Sequence, residues 1–206
     1  MSVGDKVVGV VLAGGLARRM GGGDKCMLPL AGRPILAHIL ERFRPQVSAT
    51  AINANGDPAR FDAYGLPVLP DLLEGYQGPL AGVLTGLAWA RDAHPDAIWM
   101  VTVPGDGPLL PLDLVSRFLE RAAQEGADLA CASSGERAHP VIGLWPLSLY
   151  DDLRKAVVEE EIRKVDRWTA RHRLVEVAWA NQPYDPFFNA NRPEDLAVAE
   201  QVLSEA

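Results

Sequence analysis

Residues 12–25 of this 206-residue chain are Leu12-Ala13-Gly14-Gly15-Leu16-Ala17-Arg18-Arg19-Met20-Gly21-Gly22-Gly23-Asp24-Lys25. They follow an apolar run, Val7 to Leu12, that is typical of a strand buried in a parallel sheet. Such a strand presents the following loop at its carboxyl end, where open α/β sheets bind ligands. Glycine backbones can approach a phosphate chain closely, and arginine and lysine side chains supply positive charge. The stretch is therefore predicted to bind the phosphates of a nucleotide.

The spacing excludes two well-known phosphate-binding loops. A Walker loop needs Gly-Lys followed by Ser or Thr, whereas Lys25 stands between Asp24 and Cys26. A dinucleotide-binding fingerprint needs G-x-G-x-x-G directly after the strand, and Gly14-Gly15-Leu16 does not fit it. The remaining alternative is an ordinary glycine-rich turn with solvated arginines. Five glycines, two arginines and a lysine in one short segment favour the phosphate-binding interpretation.

The composition is typical of a single globular domain. A chain of 206 residues is long enough for one α/β domain, so we expect a single domain over residues 1–206. The net charge of −7 argues against nucleic-acid binding. No apolar run approaches the roughly 20 residues of a membrane span, the N-terminus lacks a signal-peptide pattern, and two cysteines are too few for a disulfide framework. We therefore expect a cytoplasmic protein that does not contact a membrane.

Strand-like and helix-like segments alternate along the chain. Strands are predicted at 7–12, 47–52, 67–69, 98–103, 128–132, 141–145 and 174–178, of which 141–145 is expected to run antiparallel. Helices are predicted at 34–44, 58–64, 80–91, 112–124 and 193–203, with a polar turn at 133–138 and a mostly helical segment at 147–171. Repeated βα units predict a three-layer α/β/α sandwich around a mostly parallel, Rossmann-like sheet.

Three polar side chains follow predicted strands in the same way as the glycine-rich stretch does. Asn53, Asp71 and Asp106 each stand just beyond an apolar strand. The carboxyl ends of parallel strands open on one edge of the sheet, so we expect these side chains to line one cleft. Singly, each could be an ordinary turn or helix-capping residue. Together, beside a predicted phosphate site, they favour a ligand-binding cleft.

Asp106 is the strongest candidate for a role in catalysis. It follows a mostly apolar strand and lies between Pro104 and Pro108, which should make its carboxylate rigid. A rigid carboxylate near a triphosphate suits Mg²⁺, which takes few protein ligands and several water or phosphate oxygens. Asn53 and Asp71 are better suited to the base or ribose, since amide and carboxylate groups can pair with ring donors and acceptors.

The glycine-rich stretch resembles the signature of nucleotidyltransferases with a Rossmann-like sheet, and its form is most similar to that of the molybdenum cofactor guanylyltransferases. Further matches in the same order run along almost the whole chain: Asn53-Ala54-Asn55, Pro70-Asp71, Gly78-Pro79-Leu80-Ala81-Gly82, Pro104-Gly105-Asp106-Gly107-Pro108, His139-Pro140 and Phe188-Asn189-Ala190-Asn191. The chain departs from the family pattern at Gly105 and Gly107, where a cysteine and a larger residue are usual. This departure bears on the stiffness of the loop and leaves the carboxylate in place.

The resemblance implies a fold of the nucleotide-diphospho-sugar transferase type and a specific reaction. GMP would be transferred from GTP to the phosphate of molybdopterin, with release of pyrophosphate and formation of the molybdopterin guanine dinucleotide cofactor. It implies Mg²⁺ as the cofactor, with Mn²⁺ as a substitute. GTP and molybdopterin would be the substrates, and transient contacts with molybdopterin-synthesis proteins or molybdoenzymes would deliver the product.

The resemblance also implies roles for individual residues. The catalytic candidates are Arg19, Lys25 and Asp106, with Asp106 as the metal ligand. The nucleotide-binding candidates are Leu12, Ala13, Gly14, Gly15, Lys25, Asn53, Asp71 and Asp106, with Gly14 and Gly15 assigned to guanine recognition. The acceptor candidates are His139, Asn189 and Asn191, for which a strand-edge turn and a helix-entry loop are the structural alternative.

Two other functions stay open on the sequence. One is a related enzyme of the same fold, a molybdopterin cytidylyltransferase or a sugar-phosphate nucleotidyltransferase. The other is a non-catalytic module that binds GTP or molybdopterin. Lys25 and Asp106 argue against the second alternative, since a binding module has no need to place a metal ion at the α-phosphate.

Overall fold

A seven-stranded sheet forms the centre of the computed structural model, which describes residues 6–14, 24–73, 78–190 and 192–205. Its strands are β1 (Val7–Leu12), β4 (Ala49–Asn53), β5 (Val68–Leu69), β6 (Trp99–Pro104), β7 (Leu129–Ser134), β8 (Arg137–Pro146) and β9 (Leu174–Trp179). Two short strands, β2 (Pro29–Leu30) and β3 (Arg33–Pro34), form a separate antiparallel hairpin that the sequence analysis did not predict.

The order across the large sheet is β5-β4-β1-β6-β8-β7-β9. β1 pairs in parallel with β4 and β6, β4 with β5, and β7 with β9. β8 lies antiparallel between β6 and β7. The mostly parallel sheet and its antiparallel strand are therefore confirmed.

Helices cover both faces of this sheet, as a buried parallel sheet requires. They are α1 (Ile35–Phe43), α2 (Pro79–Ala93), α3 (Leu114–Glu125), α4 (Tyr150–Val158), α5 (Val165–Thr169) and α6 (Pro193–Glu205), and a 3₁₀ segment covers Pro58–Tyr64. Side chains of α1, α3 and α6 share one apolar core, and those of α2, α4 and α5 share another. Two cores separated by one sheet confirm the three-layer architecture.

The structure refines the bounds of two predicted segments. The polar turn predicted at 133–138 is shorter, because Ser133 and Ser134 continue β7 and pair with both β8 and β9. The segment 147–171, predicted to be mostly helical, contains two helices, α4 and α5, with a break between them. Glu161 has a left-handed φ of 54°, which a continuous right-handed helix excludes, and Ile162 is buried in the core beside this break.

The carboxyl ends of β1, β4 and β6 meet at one edge of the sheet, where the predicted site residues lie. Backbone hydrogen bonds extend the pairing beyond the strands, from Ala13 N to Asn53 O at 2.8 Å and from Gly105 N to Leu12 O at 2.9 Å. These bonds set the relative positions of the loops that follow the strands. Among the helices of the described ranges, none has the length and apolar character needed to cross a membrane.

Candidate active site

A small cleft opens at the carboxyl ends of β1 and β6. It has a volume of about 100 Å³ and is lined by Leu12, Ala13, Lys25, Cys26, Pro104, Gly105 and Asp106. Six of these seven residues belong to two motifs at strand ends: Leu12, Ala13 and Lys25 to the glycine-rich stretch, and Pro104, Gly105 and Asp106 to the motif at 104–108. The cleft therefore lies where the predicted phosphate and metal sites meet.

Lys25 and Asp106 form an ion pair across this cleft. Lys25 Nζ donates to Asp106 Oδ2 at 2.5 Å, and the two side chains are 12% and 22% exposed. Such partial burial makes the attraction stronger than that of a surface pair. The backbone carbonyl of Asp106 accepts a hydrogen bond from Ala190 N at 2.9 Å. The carboxylate is thus held both through its side chain and through its backbone.

Gly105 packs closely against the backbone of Leu12 and Ala13. A Cβ atom at Gly105 would lie 3.0 Å from the Cα atom of Ala13 and 3.2 Å from the carbonyl oxygen of Leu12. Because backbone atoms cannot move aside as a side chain can, the close approach of the two strand ends favours glycine here. The departure from the family pattern at Gly105 is compatible with a tightly packed loop.

Asn53 and Asp71 form a second polar pair on the other side of the end of β1. Asn53 Nδ2 donates to Asp71 Oδ1 at 2.9 Å and to the carbonyl oxygen of Leu69 at 3.0 Å. Asn55, the last residue of the Asn53-Ala54-Asn55 motif, donates from Nδ2 to Asp71 Oδ2 at 2.8 Å and accepts from Asp71 N at 2.8 Å. Both carboxylate oxygens of Asp71 are therefore oriented by side-chain amides.

Helix α2 approaches this pair so closely that it needs a glycine. A Cβ atom at Gly82 would clash with Asn53 Oδ1 and would lie 2.9 Å from Leu12 Cδ2. The family-like segment Gly78 to Gly82 therefore serves to bring the first turn of α2 onto the side chain of Asn53.

A third contact, absent from the sequence analysis, involves Arg60 in the 3₁₀ segment. Arg60 Nε lies 2.5 Å from Asp24 Oδ2, and Arg60 Nη2 donates to the carbonyl oxygen of Asn55 at 2.5 Å. The sequence offers no local signal for this contact, because Arg60 and Asp24 are far apart in the chain and Arg60 follows no recognisable motif.

Of the acceptor candidates, Asn189 lies near the loop that carries Asp106. A Cβ atom at Gly107 would lie 3.6 Å from Asn189 Oδ1, so Asn189 borders this loop. The His139 ring lies at the start of β8, 5.0 Å from the ring of Phe187, and its Nε2 atom is 2.7 Å from Ser134 Oγ. Burial lowers the pKa of His139, so its imidazole is mostly neutral at pH 7. Ser134 is a neighbour that the sequence analysis did not single out.

Three candidates, Gly15, Arg19 and Asn191, lie outside the described residues. Gly14 lies two residues beyond the end of β1 and is exposed. The roles of all the candidate residues stay predictions.

Cys26 lines the cleft but is a poor nucleophile. Burial raises the pKa of its thiol to about 12, with the negative charge of Asp24 contributing in the same direction. The thiol is therefore protonated at neutral pH, and a protonated thiol neither attacks nor binds a metal ion well.

The metal-binding capacity of the cleft depends on Asp106. Within the described ranges, no group of three or more His, Cys, Asp or Glu side chains could hold a metal ion by itself. A single carboxylate next to a phosphate site fits an ion that takes most of its ligands from substrate oxygens and water. The donor set therefore fits Mg²⁺ or a similar hard cation that binds together with a nucleotide.

Residues 9–176 match the model of the MobA-like NTP transferase domain. The molybdenum cofactor guanylyltransferase of Rhodopseudomonas palustris (strain BisB5) is 55% identical over 193 residues, which cover 94% of this chain and 92% of the relative. The enzyme of the same name from Bradyrhizobium sp. (strain ORS 278) is 56% identical, over 96% of this chain and 93% of the relative. The chain belongs to the MobA-like NTP transferase family. It is a nucleotidyltransferase of molybdenum cofactor biosynthesis, as the sequence motifs predicted.

Solved structures confirm the fold predicted for the family. Molybdopterin-guanine dinucleotide biosynthesis protein A from Archaeoglobus fulgidus superposes with a TM-score of 0.73 at 22% identity, over 97% of this chain and 100% of that one. The 4-diphosphocytidyl-2C-methyl-D-erythritol synthase of Anaerococcus prevotii gives a TM-score of 0.74 at 11% identity, over 98% and 97%. The sheet and its two helical layers are therefore those of the nucleotide-diphospho-sugar transferase type.

Gly82→Ala tests the packing of α2 on Asn53. The added methyl group should displace the Asn53 amide from Asp71 and weaken GTP binding about tenfold, the equivalent of one lost buried hydrogen bond. Gly86→Ala is the matched control, because its Cβ would meet Met100 Sδ at 2.7 Å and Val10 Cγ2 at 2.9 Å and leave Asn53 untouched. GTP titration and thermal unfolding of both variants provide the comparison. Equal GTP affinity in the two variants would contradict the prediction.

Proposed function

We propose that the chain transfers GMP from GTP to the phosphate of molybdopterin, with GTP lying across the carboxyl ends of β4, β1 and β6. The Lys25–Asp106 ion pair in the cleft is the observation that carries this proposal. It supplies one cation for phosphate oxygens and one carboxylate for a divalent cation at the same place. Identity of 50% or more to several named guanylyltransferases supports the choice of substrates.

The guanine base would lie beside Asn53 and Asp71. A carboxylate offers about four acceptor positions, of which the two side-chain amides use two, so Asp71 can still accept from the N–H groups of a guanine ring. The backbone groups of Leu12, Ala13, Gly14 and Gly15 would contact the base from the end of β1. A base held by fixed acceptors can be distinguished from cytosine, whose ring edge presents a different order of donors and acceptors.

Transfer would proceed by direct displacement at the α-phosphorus of GTP. A phosphate oxygen of molybdopterin forms the new P–O bond, the bond from the α-phosphorus to the bridging oxygen breaks, and pyrophosphate leaves with that electron pair. A phosphate monoester is already anionic at neutral pH, so the chain needs no strong general base. Its task is to align the two substrates and to balance negative charge, which Lys25 and Arg19 would do.

Asp106 would hold the divalent cation that this family generally uses, and we propose Mg²⁺, with Mn²⁺ as a substitute. When bound, such an ion neutralises charge on the phosphate oxygens. As the family resemblance implies, Asn189, Asn191 and His139 would contact molybdopterin. For Asn189 the position beside the Asp106 loop supports this role. A cytoplasmic location and transient contacts with molybdopterin-synthesis proteins or molybdoenzymes stay predictions.

The function is tested by pyrophosphate release from the purified chain with molybdopterin, Mg²⁺ and one nucleotide at a time. GTP should support release and CTP should support little, because the site is expected to pair with guanine. Omission of molybdopterin should abolish release with GTP. Turnover with CTP and none with GTP would indicate the cytidylyltransferase alternative, and GTP binding without release would indicate a binding module.

Asp106→Asn should reduce turnover at least about a hundredfold at millimolar Mg²⁺, with partial recovery in Mn²⁺, because a neutral amide is a weak ligand for a hard cation. The protein should still fold and bind GTP, since the side chain lies in the cleft and not in the core.

Asp151→Asn is the control for this variant. Its carboxylate also pairs with an arginine, Arg91, but it is 81% exposed and lies near the opposite edge of the sheet. Steady-state pyrophosphate release measured for both variants separates loss of the metal ligand from loss of a surface charge. Full Mg²⁺-dependent turnover of Asp106→Asn would show that the metal ion is held elsewhere.

Asn189→Ala should raise the KM for molybdopterin by about tenfold and change GTP affinity little, since loss of one polar contact to a substrate costs about 1–2 kcal/mol. Kinetics with varied molybdopterin, together with a GTP titration, measure the two effects. Equal weakening of both substrates, or a lower melting temperature with normal kinetics, would assign Asn189 to the entry of α6.

A further inference from the structure

Arg60 connects parts of the chain that approach the cleft from different directions. Its Nε atom lies 2.5 Å from Asp24 Oδ2, its Nη2 atom donates to the carbonyl oxygen of Asn55 at 2.5 Å, and its Nη1 atom donates to the carbonyl oxygen of Asp57. The guanidinium carbon lies 4.6 Å from the centre of the ring of Phe61, which is buried. Both terminal nitrogens of the guanidinium group therefore donate to carbonyl oxygens, and its Nε atom forms an ion pair with Asp24 without a hydrogen bond.

One of these neighbours belongs to the phosphate end of the cleft. Asp24 directly precedes Lys25, and Lys25 begins a short 3₁₀ turn, Lys25–Met27. Because a single peptide unit separates Asp24 from Lys25, the ion pair with Arg60 restrains the backbone from which the Lys25 side chain reaches Asp106. The Asp24 and Arg60 side chains are 21% and 23% exposed, so solvent screens this pair less than a surface pair.

The other neighbour belongs to the base end. Asn55 makes two reciprocal hydrogen bonds with Asp71, one from Asn55 Nδ2 to Asp71 Oδ2 and one from Asp71 N to Asn55 Oδ1, both at 2.8 Å. Arg60 donates to the backbone carbonyl of Asn55, so the side chain of Asn55 stays available to bond with Asp71. Arg60 thus contacts the backbone of the residue whose side chain is bonded to Asp71.

We propose that Arg60 is a positioning residue for nucleotide transfer, which couples the base end of the cleft at Asp71 to the phosphate end at Lys25. Arg60 acts through Asn55 and Asp24 and has no need to touch the nucleotide. The inference rests on the proposed function, because it takes Asp71 and Lys25 to bind two ends of one GTP molecule. A site whose two ends are already at the right separation loses less conformational entropy when the ligand binds.

The chemistry of the site explains why an arginine is needed. Arginine presents five N–H donors in a rigid plane, so one side chain can pair with a carboxylate and two carbonyl oxygens in different directions. Lysine would keep the positive charge but has a compact ammonium group on a flexible stem. Arg60→Lys should therefore retain the attraction to Asp24 and lose part of the connection to Asn55.

The first measurement compares single variants by GTP titration and by kcat for pyrophosphate release. Arg60→Gln should raise the Kd for GTP about tenfold and lower kcat, and Arg60→Lys should give an intermediate Kd. Arg121→Gln is the matched control, since it removes the same charge from an arginine paired with Glu125 at 2.9 Å near the end of α3. Arg60→Gln with the GTP affinity and kcat of the control would overturn the proposal.

The second measurement is a double-mutant cycle. The coupling that it measures would not depend on Arg60 if the role of Arg60 were merely structural. Asp24→Asn and Asn55→Ala are measured singly and together, first with Arg60 present and then in the Arg60→Gln background. With Arg60 present, their effects on the Kd for GTP should deviate from additivity by about fivefold, since both residues act through one side chain. In the Arg60→Gln background the effects should be additive. The same deviation in both backgrounds, or additivity in both, would overturn the proposal.

A folding defect in Arg60→Gln, or a failure of the proposed function, can each be distinguished from a failure of the proposal for Arg60. If Arg60→Gln does not fold, the cycle is repeated in the Arg60→Lys background, where the deviation should shrink; an unchanged deviation counts against the proposal. The cycle uses GTP binding alone, so its outcome is independent of turnover. A chain that binds GTP with this coupling but releases no pyrophosphate contradicts the proposed function and supports the role of Arg60.

Discussion

The parallel pairing of β1 with β4 on one side and β6 on the other sets the relative positions of the residues at these three strand ends. The register places Leu12 level with both Asn53 and Pro104, and two further backbone bonds extend it to Ala13 and Gly105. A register shift of one residue would turn Gly9 of β1 away from Phe43 and a valine towards it, and the ring of Phe43 leaves no room for a Cβ atom there. The loops beyond the strands therefore start from fixed points, and the cleft has little freedom to vary.

Charge at this edge of the sheet is compensated locally. The protein carries a net charge of −7, yet a nucleotide triphosphate is itself strongly anionic. In the described part of the cleft each cation is paired with a carboxylate, Lys25 with Asp106 and Arg60 with Asp24. Such pairing keeps partly buried charges from being left uncompensated before the substrate arrives. It also places a carboxylate next to a lysine where a divalent cation and phosphate oxygens would together complete the charge balance.

Patterns within short segments were enough to predict the architecture. The apolar runs of β1 and β6 allow burial on both faces, and repeated strand and helix segments favour a three-layer sandwich. The rule that parallel strands end at one edge then placed Asn53, Asp71 and Asp106 beside the glycine-rich stretch. Local patterns failed where the chain changes direction without a strong signal. At Glu161 the left-handed backbone of a residue other than glycine interrupts a segment whose composition favours a helix.

Asn55, Arg60 and Ser134 illustrate what the sequence could not show. Each is a polar residue of a common type, and each gains its place through a partner from another segment or strand, Asp71, Asp24 or His139. The sequence by itself determined the family, the order of the layers and the strand ends at which the reactive groups stand, because these follow from local hydrophobic pattern and motif. Only the tertiary structure decided which side chains hold those groups in place, because hydrogen bonds between distant segments depend on distances that the folded sheet alone establishes.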